Sequence, residues 1–283
     1  MPSATLLGQS LLSGVFVGGL YALMGLGLSL SWAFLRSINL THLAFVFLAA
    51  YMTYGLAHGG RMSPFVAMAL LVPVFFMLGA ALHWLFDRFN VDEFGSVLAT
   101  FGMMVIVESI IQGIWTADFR RLETPLGTAS WRVGALFVPV AEALMFAVAA
   151  VLLVATWAWL RFSYVGKAMR ASAENAPIAA AFGVDHKRLA LLMAGVAGSS
   201  AAIAGGFIAL ISTLAPSQIY AWVGVIFATV IMGGLGNPLG ILAAGLLIGV
   251  SEAMTSAVAA PSWAPLVSFT LLIAILILRP GRL

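Results

Sequence analysis

The chain has 283 residues, of which 63% are hydrophobic and only 8% are charged. Soluble domains average about 25% charged residues, so this composition excludes a soluble protein and predicts an integral membrane protein. The formal net charge is +3, and the absence of cysteine excludes disulfides, thiolate metal sites and cysteine nucleophiles. Because the cations lie in predicted loops, we interpret them as a signal of orientation and not of nucleic-acid binding.

Apolar runs of about 20 residues recur from end to end and predict an all-α, polytopic membrane fold in one transmembrane domain, 1–283. We expect about nine transmembrane helices, approximately at 6–34, 42–57, 64–86, 94–115, 136–160, 187–212, 222–236, 239–258 and 263–278. The seventh is short before its glycines begin, so a re-entrant element, and eight helices, is the alternative. No small-residue cleavage site follows the first run, which predicts a retained span.

Glycines in three of these runs predict close helix packing. Gly14 and Gly18 form a GxxxG pattern in the first span, and Gly245 and Gly249 form another in the eighth. Small residues let helix backbones approach closely inside a bilayer. The sixth span has further close-packing positions at Gly195, Gly198, Gly205 and Gly206.

Residues 161–188 form the longest polar interruption and carry five of the thirteen basic residues, namely Arg161, Lys167, Arg170, Lys187 and Arg188. So many cations between two apolar runs predict a cytoplasmic loop. A short helix is expected over about 165–174, with Arg170 and Glu174 at i,i+4. A second is expected over about 176–182, capped by Asn175 and closed by a left-handed Gly183. Asp185 is expected to cap the next span.

The distribution of basic residues predicts the orientation. With nine spans and a cytoplasmic loop at 161–188, the inside collects Arg36, Arg88, Arg161, Lys167, Arg170, Lys187, Arg188, Arg279 and Arg282. The outside collects only Arg61, Arg120, Arg121 and Arg132. Basic residues near span ends are retained on the cytoplasmic side, so the excess favours this orientation with an outside N-terminus.

Four stretches resemble, in the same order, the permease subunits of ABC importers, in the branch that carries branched-chain amino acids. The first is the glycine-rich run 18–42, which ends in Asn39–x–x–His42, and the second is VLATFGMMVIVES, 97–109. The third lies within the polar stretch 161–188 and resembles that family's coupling loop. The fourth is the run GGLGNPLG, 233–240. Three departures are Leu43, where the family usually has glycine, Ala49-Ala50-Tyr51, where it has Gly-Ala-Tyr, and Glu108, where it commonly has an amide. The coupling-loop residues that match the family pattern are Gly166, Arg170, Ala171, Glu174, Asn175, Ala179, Ala180 and Gly183. The candidate ATPase-coupling residues are these without Ala180, together with Lys167.

The resemblance implies a permease subunit of a binding-protein-dependent ABC importer in the bacterial inner membrane. Its coupling loop would sit in a groove of a cytoplasmic ATPase. The implied partners are a second related permease, two cytoplasmic ATP-binding subunits and a periplasmic or lipid-anchored solute-binding protein. The implied substrate is a branched-chain or related amino acid, or a related small amide or carboxylate. The sequence contains no GxxxxGK[ST], so we expect ATP to be bound by the partners and this chain to need no cofactor.

Few polar residues interrupt the spans, and they are the candidates for a translocation path: Asn39, His42, Thr100, Glu108 and Glu252. An ionisable group inside a span is a functional hypothesis by default, and its rival is a hydrogen bond that joins two helices. A gradient-driven secondary transporter or channel, with Glu108 and Glu252 as proton carriers, is the alternative function. The polar residues form no expected catalytic cluster, and the four histidines show no metal-ligand spacing, so neither an enzyme nor a metal site is expected.

Overall fold

The computed structural model describes residues 3–60, 62–259 and 261–278. The membrane helices and surface helices are, in chain order, α1 Ala4–Leu35, α2 Thr41–Gly60, α3 Pro64–Phe89, α4 Glu93–Trp115, α5 Pro125–Thr128, α6 Val140–Phe162, α7 Tyr164–Glu174, α8 Ala176–Ala181, α9 His186–Ile211, α10 Gln218–Gly233, α11 Pro238–Val258 and α12 Ala264–Leu278. A single antiparallel hairpin, β1 Ser130–Val133 and β2 Leu136–Pro139, is the exception in this part of the chain. The predicted all-α membrane class is therefore confirmed.

Six of the described helices are long and apolar enough to cross a membrane, namely α1, α3, α4, α6, α9 and α11. Helix α10 has 16 residues and α12 has 15, so both are short for a span, and α2 is not among the six. The chain is a multi-pass membrane protein. The lengths alone do not choose between nine and eight crossings.

Helices α1 and α11 cross through their glycines. A Cβ added at Gly18 would lie 2.5 Å from the carbonyl oxygen of Gly245, and one added at Gly249 would lie 2.5 Å from the carbonyl oxygen of Gly14. These distances leave no room for a side chain, since the backbones themselves are in contact. The two predicted GxxxG patterns therefore pack against each other.

Helix α9 packs closely on α2 and α3, as its glycines predicted. A Cβ at Gly205 would meet the backbone of Val46 in α2, and a Cβ at Gly198 would meet the backbone of Phe75 in α3. Gly195 and Gly206 instead face side chains of α3. All four predicted close-packing positions are confirmed, and α9 lies in the interior of the bundle.

The prediction that the fifth span begins at residue 136 is wrong by four residues. Leu136–Pro139 pair with Ser130–Val133, and α6 begins only after Pro139. The hairpin is held to α1 because the side-chain amide of Gln9 donates to the carbonyl of Phe137, at 2.8 Å, and accepts from its N–H, at 3.0 Å. Backbone pairing and this amide outcompete helix formation before the proline, and the predicted loop 116–135 contains α5 and β1.

Contacts between helix ends sort the loops into two groups. Arg36, after α1, donates to the carbonyl of Ala173 at 3.1 Å, and Lys187 pairs with Asp87 at 3.1 Å. On the other side of the bundle, just after α4 ends, the backbone N–H of Arg120 donates to the carbonyl of Leu214 at 2.9 Å. The basic stretch thus lies beside the ends of α1 and α3, away from the hairpin, as the alternation of spans predicts. Arg61, Arg279 and Arg282, which also entered the orientation count, lie outside the described residues.

Candidate transport and docking sites

The polar stretch folds as two capped surface helices, α7 and α8. The hydroxyl of Ser163 accepts from the N–H of Gly166 at 2.9 Å and starts α7, and the side-chain oxygen of Asn175 accepts from Ile178 at 3.1 Å and starts α8. Gly183 has a φ of +85°, a left-handed conformation that glycine adopts without strain. Asp185 caps α9 through the N–H of Arg188 at 3.2 Å. The predicted caps are confirmed.

The eight predicted coupling residues fall into two classes. Gly166 and Ala179 are buried, and Gly166 lies against the backbone of Leu160, so they position the helices and cannot touch a partner. The predicted contact between Arg170 and Glu174 does not form, because the Arg170 guanidinium reaches back to the carbonyl of Arg161 at 3.3 Å. The exposed members are Lys167, Arg170, Ala171, Glu174, Asn175 and Gly183.

Three large apolar side chains project into solvent from residues 164–182 and were missed by the sequence reasoning. Tyr164 is 90% exposed, Phe182 is 85% exposed and Ile178 is also exposed. Apolar residues within an otherwise polar stretch were the signal that could have identified them. Surfaces of this kind, with aromatic residues rimmed by polar ones, are typical of protein contacts.

Thr100 fixes the turn between α1 and α2 onto α4. Its hydroxyl oxygen accepts from the N–H of Leu40 at 3.1 Å and donates within α4 to Ser96 at 2.7 Å. The hydroxyl of Thr41 donates to the Thr100 carbonyl at 3.0 Å. Thr100 has no exposed surface, so its observed role is to hold α4 and the α1–α2 turn together by hydrogen bonds.

His42 and Asn39 lie on the other side of the same turn. The His42 imidazole is buried, with Nε2 3.0 Å from the carbonyl oxygen of Met24, and it occupies the space that a side chain at position 27 would need. The side-chain oxygen of Asn39 is buried and has no hydrogen-bond partner among the described residues. Both residues line a cavity of about 20 Å³, room for a single water molecule.

Glu252 joins three helices. One carboxylate oxygen accepts from the hydroxyl of Tyr21 in α1 at 2.7 Å, and the other accepts from the hydroxyl of Ser268 in α12. The Tyr21 ring packs edge-on against Trp222 of α10, with ring centroids 5.8 Å apart. In the structure, Glu252 thus links α11 to α1 and α12 by hydrogen bonds. Its partner Tyr21 was not identified from the sequence.

Glu108 joins α4 to α10. One carboxylate oxygen accepts from the hydroxyl of Tyr220 at 2.5 Å, and the other accepts from the side-chain amide of Gln112 at 3.1 Å. In contrast to Thr100 and His42, this group is only half-buried and Gln112 is exposed.

The five predicted path residues do not converge on one site. Asn39, His42 and Thr100 surround the α1–α2 turn. Glu108 lies in α4 and Glu252 in α11, each about 10 Å along its helix from the C-terminal end, at 1.5 Å per residue, and these ends lie on the other side of the bundle from that turn. Among the described residues, no three histidine, aspartate or glutamate side chains gather in a way that could hold a metal ion.

Comparisons with known proteins agree on one family. The profile described as "Branched-chain amino acid transport system / permease component" matches residues 10–276. The high-affinity branched-chain amino acid transport system permease protein LivH of Escherichia coli K12 is 25% identical, over 96% of this chain and 93% of its own length. BraD of Pseudomonas aeruginosa, of the same description, is 22% identical over 96% and 94%. The probable LivH of Methanocaldococcus jannaschii is 23% identical over 96% and 91%. No solved structure matches.

Proposed function

Because the chain belongs to the branched-chain amino acid transport system permease family, we propose that it forms the translocation path of a binding-protein-dependent ABC importer. Family membership makes it a permease subunit of an ABC-type transporter, and so a transporter and not an enzyme. The proposed substrate is a branched-chain or related amino acid, or a related small amide or carboxylate. The relatives' names, which specify branched-chain amino acids, support the first of these.

The proposed partners are a second related permease, two cytoplasmic ATP-binding subunits and a periplasmic or lipid-anchored solute-binding protein, in a bacterial inner membrane. ATP would be bound by the partner subunits, since this sequence has no P-loop. The observation that carries the proposal, beside the family match, is the α7–α8 segment. Its exposed Tyr164, Ile178 and Phe182 give an ATPase an apolar surface to dock on.

We propose nine crossings of the membrane, with α10 as the seventh. Helix α10 begins beside the Arg120–Leu214 backbone pair. The loop that follows α10 lies near the C-terminal end of α1, on the other side of the bundle, where the N–H of Gly236 donates to the hydroxyl of Ser29 at 2.9 Å. Its 16 residues span about 24 Å, most of the roughly 30 Å hydrocarbon core. This path favours a crossing over a re-entrant element.

ATP dependence separates the proposed function from the gradient-driven alternative. In proteoliposomes that contain the four-subunit complex and the binding protein, we expect uptake of a branched-chain amino acid only when ATP is present on the ATPase side. A catalytically dead ATPase variant should reduce uptake to the level of empty liposomes, while a protonophore should have no effect. Uptake that continues without ATP would favour a carrier that uses Glu108 or Glu252 as a proton site.

Orientation can be tested by labelling, since the chain has no cysteine of its own. In intact spheroplasts, Glu123→Cys should react with a membrane-impermeant maleimide, and Lys167→Cys should react only after lysis, because both side chains are exposed on opposite sides of the bundle. Ser172, although in the same segment, is buried and unsuitable for labelling. Labelling of Lys167→Cys in intact spheroplasts would reverse the proposed orientation.

A further inference from the structure

The polar side chains in the outer half of α4 lie on one face of the helix. Glu108, Ser109 and Gln112 lie with Tyr220 of α10 in one exposed or half-exposed patch, which we call the α4–α10 polar patch. At the same depth, Ile106, Ile110 and Ile114 are exposed on the other side of the helix. Only the isoleucine face is suited to lipid.

The carboxylate in the patch has no cation beside it. Among the described residues, the ion pairs are those of Arg120 with Asp118, Lys187 with Asp87 and Arg188 with Asp185, and Glu108 is in none of them. Glu108 lies seven residues before the end of α4 at Trp115, about 10 Å inside that end. A charged group facing hydrocarbon is costly, so this face is covered by water or by another subunit and not by lipid.

The hydrogen bonds of the patch leave acceptors free. A carboxylate has about four lone-pair positions, and Glu108 uses two of them, for the Tyr220 hydroxyl and the Gln112 amide N–H. The Tyr220 oxygen and the Gln112 carbonyl oxygen are further acceptors in the same patch. The patch thus offers the oxygens of Glu108, Tyr220 and Gln112 as acceptors, together with one negative charge. This set matches an ammonium group, which has three N–H donors and a positive charge.

Apolar side chains continue from the patch along the same face of α4. Val105 lies three residues and Phe101 seven residues before Glu108, at helical spacing, and both are exposed. A solute whose ammonium group contacts Glu108 can therefore lay an apolar body over Val105 and Phe101. This order of groups runs from the outer half of α4 towards its cytoplasmic beginning.

We propose that the α4–α10 polar patch is a substrate site in the translocation path, which binds the ammonium group of an amino acid whose side chain is apolar. The proposal rests on the proposed function for the existence of a path, and adds the residues and the substrate group that they bind. Glu108 supplies the charge, and Tyr220 and Gln112 position its carboxylate and complete the acceptor set. Loose binding at one charged contact suits a site from which the solute must move on.

The test places a thiol next to the carboxylate. In the complete complex in lipid nanodiscs, Val105→Cys is treated with a trimethylammonium-ethyl or a sulfonatoethyl methanethiosulfonate, and each rate is divided by the rate for free cysteine. We expect both reagents to react, the cationic one faster, and Glu108→Gln to lower the ratio of the two rates about tenfold, since it removes one nearby charge. Ile110→Cys, on the lipid-facing side, is the matched control and should react with neither.

Protection by solutes tests the ammonium group itself. Leucine should slow the modification of Val105→Cys, whereas 4-methyl-2-oxopentanoate, which has the same apolar body and carboxylate but no ammonium, should not. Sodium chloride at the concentration of the oxo acid's sodium salt is the ionic-strength control and should protect less than leucine. Equal protection by leucine and the oxo acid, or a rate ratio unaffected by Glu108→Gln, would overturn the ammonium site.

The inference and the proposed function can fail separately. If Val105→Cys reacts with neither reagent while the same preparation shows ATP-dependent uptake, the importer stands and this face is not part of its path. If the labelling results are as expected but uptake is independent of ATP, the ammonium site stands in a different class of transporter.

Discussion

Replacing Gly245 with leucine is expected to reduce the protein in the membrane to less than about a tenth of its normal amount. A Cβ at this position would lie 2.5 Å from the carbonyl oxygen of Gly18 and 3.1 Å from Ala22, so the added side chain must push α11 away from α1. Overpacking within a core costs about 1–3 kcal/mol and occasionally more, and here the obstacle is backbone that cannot rotate aside. In cells, a loss of only about 1–2 kcal/mol of stability lowers the abundance of a protein several-fold, so a cost above that range should leave most of the protein degraded.

The matched control is Gly102→Leu. This glycine also lies in a membrane helix, but a Cβ added there would meet nothing within 4 Å. Immunoblots of membrane fractions and the thermal stability of solubilised protein should show a normal amount for Gly102→Leu and a loss for Gly245→Leu. Normal accumulation of both variants would mean that α1 and α11 do not make this close crossing.

Replacing Phe182 with aspartate is expected to uncouple the permease from the proposed ATPase subunits without loss of the permease itself. Phe182 is 85% exposed, so the change leaves the fold intact, but it places a charge where an apolar contact is proposed. Aromatic anchors at protein interfaces are worth about 2 kcal/mol or more, which corresponds to roughly thirtyfold weaker binding. Co-purification of the ATPase subunits and substrate-stimulated ATP hydrolysis should both fall by at least tenfold.

The same change at Val133 serves as the control. Val133 is an exposed apolar residue of the hairpin, on the opposite side of the bundle from α7 and α8. Val133→Asp should retain the ATPase subunits at the normal ratio. Full ATPase retention and full uptake by Phe182→Asp would exclude the α7–α8 surface as the docking site.

The helices were predictable because their signals are local. Apolar runs gave the bounds of α4 and α11 within one residue, and capping residues such as Asn175 and Asp185 act within three positions of themselves. The start of α6 was not predictable in the same way, because it depends on Gln9, which is far away in the chain. Local apolarity favoured helix at Leu136, and a distant amide decided for a strand.

The partners of the polar groups could not be read from the sequence. Glu108 and Glu252 were visible as carboxylates in apolar runs, but the hydroxyls that bind them come from helices elsewhere in the chain, Tyr220 and Tyr21. A tyrosine in an apolar run looks the same whether it faces lipid, a ring or a carboxylate. The glycine patterns likewise predicted that α1 and α11 pack closely, but not that they pack on each other.

The contact between α1 and α11 imposes an order on biosynthesis. Tyr21 and Glu252 are 231 positions apart, so at roughly 5–20 residues per second a ribosome needs about 10 to 50 s to supply the partner of the first helix. During that interval α1 can pack against α6 and α9, but its Gly14–Gly18 face and the phenol of Tyr21 remain exposed to lipid. A nascent chain that stops before α11 therefore has the same uncovered face as one in which the crossing is blocked, and it offers that face to membrane proteases.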